Sequence, residues 1–276
     1  MPPFSYACHI AAALFSAILL PLVMLSLPAT PALSTDAPNR TYACGDKGNL
    51  ARLHSPLSRM AQRIATGRSV TIMALGSSST AGAGASGPTA SYPSRLEAEL
   101  RTRFPDLVVT VINRGVNGDE AAAMLARFDQ VAPGDKADVV LWQVGTNAVL
   151  RDNPLGPVDR LIKEGLARMK TFGPDVVMID PQFAPKVLAK PDAEDMVHLI
   201  AAAAASRGVD LFHRFAVMRA WHEKDGVPFE AFLSPDQLHM NDWGYACIAK
   251  LLGGAIAEAA TRPVATTRAS PNNRQP

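Results

Sequence analysis

Residues 69–87 read SVTIMALGSSSTAGAGASG. After Ser69 the next six are β-branched or apolar with no polar alternation, the pattern of a strand buried on both faces of a parallel sheet. At Gly76 the pattern stops, and Ser77, Ser78 and Ser79 follow at the strand's carboxyl end. That is the edge at which open parallel sheets bind ligands. A phosphate cradle, a nucleophile turn and a loop without chemistry all fit these residues, and each makes a different demand on the rest of the chain.

Four more apolar runs follow: LVVTVIN from Leu107, ADVVLWQV from Ala137, DVVMID from Asp175 and VDLFHR from Val209. Segments with helical spacing separate them, at residues 92–104, 119–131, 158–172 and 193–208, and a last one covers 241–260. Strands alternating with helices predict a five-stranded parallel sheet in a three-layer α/β/α sandwich. The residues after its strands are NRGVNGDE, GTN and DPQ, and these are where a site is to be sought.

The chain has 276 residues, 48% of them hydrophobic, enough for one substantial core. Its formal charge of +2 leaves no electrostatic case for a nucleic-acid partner. Residues 10–27, IAAALFSAILLPLVMLSL, carry no charge and precede the small residues PATPA. This is the composition of an export signal, residues 1–32, cleaved after Ala32; no Lys or Arg precedes it, and its length also suits a retained anchor. A membrane association is expected only through such an uncleaved segment. A linker at 33–43, a folded domain at 44–260 and a poorly ordered tail at 261–276 complete the expected organisation. Cleavage removes Cys8 and leaves Cys44 and Cys247 in an oxidising compartment, periplasmic or extracellular. An even count there predicts a Cys44 to Cys247 bridge, the alternative being two unrelated small apolar residues.

Gly82, Gly84 and Gly87 spell G-x-G-x-x-G, yet they do not stand at the strand-to-helix turn, and the second run ends in Asn113 rather than an acid, so a dinucleotide site fails its context. A Walker loop needs Lys after its glycine, and Ala83 follows Gly82. No H-E-x-x-H or C-x-x-C spacing supports a metal, and neither metal nor organic cofactor is expected. A nucleophile needs a base and a carboxylate. SPDQLHMNDWGY offers Asp236 and His239, three residues apart, before a helix that Asn241 or Asp242 can cap. The fifth position of a G-x-S-x-G elbow is Thr80, so the α/β-hydrolase pattern is absent.

Four blocks in order then resemble the SGNH hydrolases, also called GDSL esterases: LGSSSTAG, NRGVNGDE, VGTN and DQLH. The resemblance covers roughly residues 69–260 and implies a flavodoxin-like SGNH fold. It places Ser78 as nucleophile, His239 as base and Asp236 as its orienting acid. Ser78 and Gly118 backbone N–H groups and the Asn147 amide become oxyanion donors, with Ser79 the alternative nucleophile register. Ser77 stands where the family has aspartate, and Ala148 where relatives often have another, so altered hydrogen bonding beside the nucleophile is expected. Asp119 and Glu120 read as helix-cap and first-turn acids. Arg114 and Gln182 are candidate substrate contacts from strand-end loops. The implied activity is ester hydrolysis; the short inter-strand segments, with little room for an apolar lid, and the export segment add the expectation of a short-chain, acetyl-type ester on a small molecule or carbohydrate. An O-acyltransferase with the same residues and a carbohydrate-binding protein with a vestigial site are the alternatives; turnover with water as sole acceptor and labelling by a serine-directed phosphonate separate them.

Overall fold

The computed structural model describes residues 42–262. The expected signal segment, most of the linker and the tail beyond Arg262 lie outside the described residues. In chain order the elements are α1 (Ser58–Ala65), β1 (Val70–Gly76), α2 (Ser78–Ala81), α3 (Tyr92–Arg103), β2 (Val109–Gly115), α4 (Ala121–Asp135), β3 (Val139–Gln143), α5 (Thr146–Leu150), α6 (Leu155–Thr171), β4 (Asp175–Ile179), α7 (Pro185–Leu188), α8 (Ala193–Ser206), β5 (Asp210–Phe212), α9 (Arg214–Glu223), α10 (Phe229–Phe232) and α11 (Asp242–Thr261). A short 3₁₀ turn spans Pro88–Ala90.

The strands pair in parallel in the order β2-β1-β3-β4-β5. This is the flavodoxin-like order, in which the chain leaves β1 towards one edge and returns at β3 to build the other, opening a crevice between their carboxyl ends. Helices α1, α3 and α11 pack together as one outer layer, and α4, α6 and α8 as the other. All five strands and all five long helices read from the sequence are present, with ends shifted by a few residues.

The apolar runs make the core because both faces of the central strands are covered. Ile72 to Leu75 on β1 and Val139 to Trp142 on β3 are buried without exception. Removing each such Leu or Val side chain from water stabilises the fold by about 1.5–3 kcal/mol. The Trp142 indole N–H finds the Met124 sulfur at 3.3 Å, so its one polar atom is not orphaned. β2 departs from the expectation: it is an edge strand, only Val109 of its seven residues is buried, and Val108 before it is 66% exposed.

Helix α1, like α2, α5, α7, α9 and α10, is not read from the sequence. The first residues of α1 carry no capping side chain of their own. Asp175 on β4 reaches across instead and accepts the backbone N–H groups of Arg59 and Met60 at 3.2 and 2.9 Å. Asp210 on β5 does the same for His54 and Ser55 just upstream.

Cys44 and Cys247 form a disulfide with their Cα atoms 5.3 Å apart, 203 residues apart in sequence. It ties the start of the described chain to the buried face of α11. Among the described residues no helix is long and apolar enough to cross a membrane. Closing so long a loop restricts the unfolded chain, so replacing both cysteines with alanine should lower the unfolding free energy by about 2–5 kcal/mol. Urea titration of the variant against the oxidised protein measures this, and coincident curves would refute the contribution.

Candidate active site

Ser78 is the first residue of α2 and follows β1 with a single residue between. For α2 to start there it must lie directly over the strand ends. A Cβ on Gly76 would stand 2.1 Å from Thr80 Oγ1, and one on Gly115 would stand 2.1 Å from the Ala81 nitrogen. Only glycine permits that approach.

The turn is held from below by Gln143, the last residue of β3. Its Oε1 accepts the Ser77 N–H at 3.1 Å, the Ser77 hydroxyl at 3.0 Å and the Thr80 hydroxyl at 3.2 Å, all of it buried. The altered hydrogen bonding expected at Ser77 thus takes a specific form: a serine pairs with a neutral amide beside Ser78. Tyr92 O–H meets Thr80 Oγ1 at 3.2 Å, and burial pushes that phenol up to about 12.

Asp236 and His239 sit on a tight hairpin before α11. Leu233 and Met240 form an antiparallel bridge, and the Ser234 N–H donates to His239 O at 2.8 Å. Gln237 takes the left-handed conformation, φ 58°, to close the turn. Asn241 caps α11 by accepting the Gly244 N–H at 3.0 Å, one of the two residues read as able to do so. Asp236 Oδ1 gathers the Ser234 hydroxyl and the Leu238 and His239 N–H groups, and Oδ2 faces His239 Nδ1 at 2.5 Å. Partial burial alone would raise the Asp236 carboxyl, but the hydrogen bonds from His239, Ser234 and Leu238 outweigh it and hold the group well below the usual carboxylate range.

A carboxylate only accepts, so Nδ1 carries the imidazole proton and Nε2 is left as an acceptor. Nε2 lies 2.8 Å from Ser78 Oγ. The chain Ser78, His239, Asp236 is therefore hydrogen-bonded with the proton placed for transfer from serine to imidazole. Ser79, the alternative register, is buried inside α2.

Gly118 has φ +80° and sits in the loop after β2. Asn147, on α5 after β3, donates Nδ2 to Asp119 O at 2.8 Å, which anchors its amide beside that loop. Arg151 donates to Gly118 O at 2.9 Å and pairs with Glu120, which also accepts Asn153 Nδ2 at 2.6 Å. Arg127 donates Nε to Asp119 Oδ2 at 2.8 Å and an Nη1 hydrogen to Arg114 O at 3.0 Å.

Several expectations change here. Asp119 and Glu120 do not cap α4: Glu120 occupies the cap position without a side-chain cap bond, and both carboxylates brace the Gly118 loop through Arg127 and Arg151. Arg114 is paired with Asp135 through two hydrogen bonds of 2.9 and 2.6 Å. Gln182 is 1% exposed and cannot reach a substrate. Its Oε1 accepts from Thr146 and from Arg214, each at 3.0 Å, and its Nε2 donates to Leu238 O at 3.3 Å, linking α5 to the histidine hairpin. Gln143 was missed, although a lone polar residue within VVLWQ signals a special position. Arg127 and Arg151 left no local signal, since their partners are set by the fold.

Residues 43–262 match one described protein family. The chain belongs to the non-GDSL lipase-like family. In this member of the non-GDSL lipase-like family the first block reads Gly76-Ser77-Ser78-Ser79, and the relationship to SGNH hydrolases read from the four blocks agrees with the assignment. An arylesterase of Vibrio mimicus is 33% identical over 95 residues, 34% of this chain and 46% of that protein. A two-domain esterase active on acetylated mannans superposes with TM-score 0.66 at 19% identity, over 83% of this chain and 60% of that one. An acetyl xylan esterase superposes with TM-score 0.58 at 18% identity, over 68% of this chain and 100% of that one. The chain thus spans about half the arylesterase and three fifths of the mannan esterase; the structural likenesses establish the fold.

Asp180 is fully buried: Oδ1 accepts the Phe215 N–H at 2.8 Å, and Oδ2 has no hydrogen-bond partner among the described residues, with His213 Nδ1 3.9 Å away. Arg214 donates Nε to Asp180 O and Nη2 to Gln182 Oε1, makes no hydrogen bond to that carboxylate, and leaves Nη1 without a hydrogen-bond partner among the described residues. Burial raises the Asp180 carboxyl from 3.8 to about 7. The folded protein therefore keeps a proton that the unfolded chain releases, and Asp180 withdraws stability as pH rises between about pH 4 and pH 7. Asp180→Asn keeps the acceptor for Phe215 and cannot ionise, so urea midpoints of the variant should fall less across that window; an unchanged slope would place the titration elsewhere.

Proposed function

We propose that the protein is an exported serine ester hydrolase that removes short acyl groups, chiefly acetyl, from carbohydrate esters. The observation that carries the reading is the hydrogen-bonded chain from Ser78 Oγ through His239 to Asp236.

In the reaction His239 Nε2 takes the Ser78 proton as Oγ bonds to the ester carbonyl carbon. The carbonyl oxygen becomes an oxyanion, for which the Ser78 and Gly118 backbone N–H groups and the second Asn147 amide hydrogen are the donors. Asp236 holds the imidazolium by its Nδ1 hydrogen. The C–O bond to the alcohol breaks as Nε2 returns the proton to the departing oxygen, leaving an acyl group on Ser78. Water, deprotonated by His239, releases the acid and restores the serine. The helix start at Ser78 adds a favourable partial charge for the anion.

The acetyl part draws support from the two structural neighbours named for acetylated substrates. The carbohydrate part draws support from the two structural neighbours named for acetylated mannan and acetyl xylan. Export draws support from the uncharged segment 10–27 and from the disulfide, which persists in an oxidising compartment.

Ser78→Ala should leave folding intact and lower ester turnover by several powers of ten, whereas Ser79→Ala retains most of it. Comparable rates for Ser78→Ala and the parent protein would sink the assignment. Acetyl and propionyl esters should show higher kcat/KM than octanoyl esters. An apolar groove would instead recover about 0.8 kcal/mol per buried methylene, and a specificity constant climbing steadily with chain length would reveal it.

A further inference from the structure

We propose that the pocket bordered by Gly84 and the histidine hairpin is the subsite for the departing alcohol and that it takes a pyranose ring bearing the ester. The proposal rests on the ester-hydrolase reading above. Its starting point is proton bookkeeping. The group that leaves must receive the Nε2 proton of His239 as its C–O bond breaks, so the alcohol lies against the histidine hairpin and the carbonyl oxygen lies against Gly118 and Asn147.

At that hairpin stands Gly84, whose φ is +88°. A Cβ there would be 2.9 Å from His239 Cβ, 2.6 Å from Met240 O and 3.1 Å from Ser234 Oγ. The Gly84 backbone is therefore in contact with both the base and the serine that holds Asp236. Its loop is fastened in place: Tyr245 O–H donates to Ala83 O at 2.6 Å, and Ser86 donates to Asp242 through both its N–H and its hydroxyl. Gly84 and Ser234 are also walls of a cavity of about 370 Å³, within the usual range of about 300–1,000 Å³ for ligand pockets.

The other walls choose the ligand. Phe229, Leu233 and Pro235 supply apolar surface, and Glu230 and Gln237 are exposed polar side chains on the same pocket. Neither the Glu230 carboxylate nor the Gln237 amide is committed to a side-chain hydrogen bond among the described residues. A sugar ring has the matching character, with C–H bonds on its faces and hydroxyls around its rim. A long-chain alcohol would strip water from Glu230 and offer nothing in return.

Three acetates with one acyl group and different alcohols test this: ethyl acetate, phenyl acetate and acetylated methyl xyloside. The variants are Glu230→Ala and Gln237→Asn, the latter chosen because asparagine tolerates the left-handed conformation at that position. Each variant should lower kcat/KM for the acetylated xyloside by about ten-fold through KM, leave ethyl acetate within about two-fold, and in combination approach a hundred-fold. Equal losses on all three esters would show that the residues act through the histidine hairpin, and equal losses on phenyl acetate and xyloside would show an aryl site; either overturns the sugar subsite. Unchanged xyloside kinetics also overturns it while the hydrolase reading stands. If the parent protein cleaves none of the three, the hydrolase reading itself fails.

Discussion

Two buried side-chain amides hold together the strand ends on which the site is built. Gln143 ties the serine turn after β1 to the end of β3 through one oxygen that accepts three hydrogens. Gln182 ties the start of α5 to the histidine hairpin. A parallel sheet holds its strands in register but leaves the loops beyond it free, and loops that meet at bonding distance need fasteners. Hydrogen bonds between uncharged partners suit this place. Each contributes about 1 kcal/mol net, and losing one partner leaves a buried polar atom at a cost of about 1–3 kcal/mol. The arrangement therefore resists deformation more strongly than its net stability suggests.

The charges near the site follow a division of labour. Asp236 is the carboxylate aimed at His239, and it is kept ionised by four hydrogens donated to it. Asp119 and Glu120, close by in the Gly118 loop, are neutralised by Arg127 and Arg151. An uncompensated acid there would oppose negative charge developing on a substrate oxygen. The same two guanidiniums donate to backbone carbonyls at Arg114 and Gly118, so pairing and loop shape are set by one set of contacts. Arg214 plays a related part at depth, donating to Asp180 O and Gln182 beneath the hairpin.

The serine at position 77 illustrates how such a site absorbs a change. An aspartate in that place would need donors or counter-charge, whereas the serine donates to Gln143, whose Nε2 is left without a partner among the described residues. The triplet of serines is thereby divided by environment. Ser77 and Ser79 are buried and structural, while Ser78 faces His239.

The sequence by itself determined the five apolar strands, the helices between them, the parallel sheet and the pair of cysteines, because these depend on periodicity and composition carried by neighbouring residues. Spacing alone offered Asp236 and His239 as a pair sharing one turn, and it was the resemblance of four blocks that joined Ser78 to them, with Ser79 left as the other register; the contact between Ser78 and His239 is tertiary. Only the tertiary structure decided that β2 lies at an edge, that α1 is capped by Asp175 from β4, and that Gln182 is a buried brace and not a substrate contact. It likewise turned Asp119 and Glu120 from presumptive helix caps into loop braces, and paired Arg114 with Asp135. The physical reason is range: hydrophobic pattern and turn chemistry act over a few residues, whereas a buried polar group is satisfied by whichever side chain the fold brings within about 3 Å.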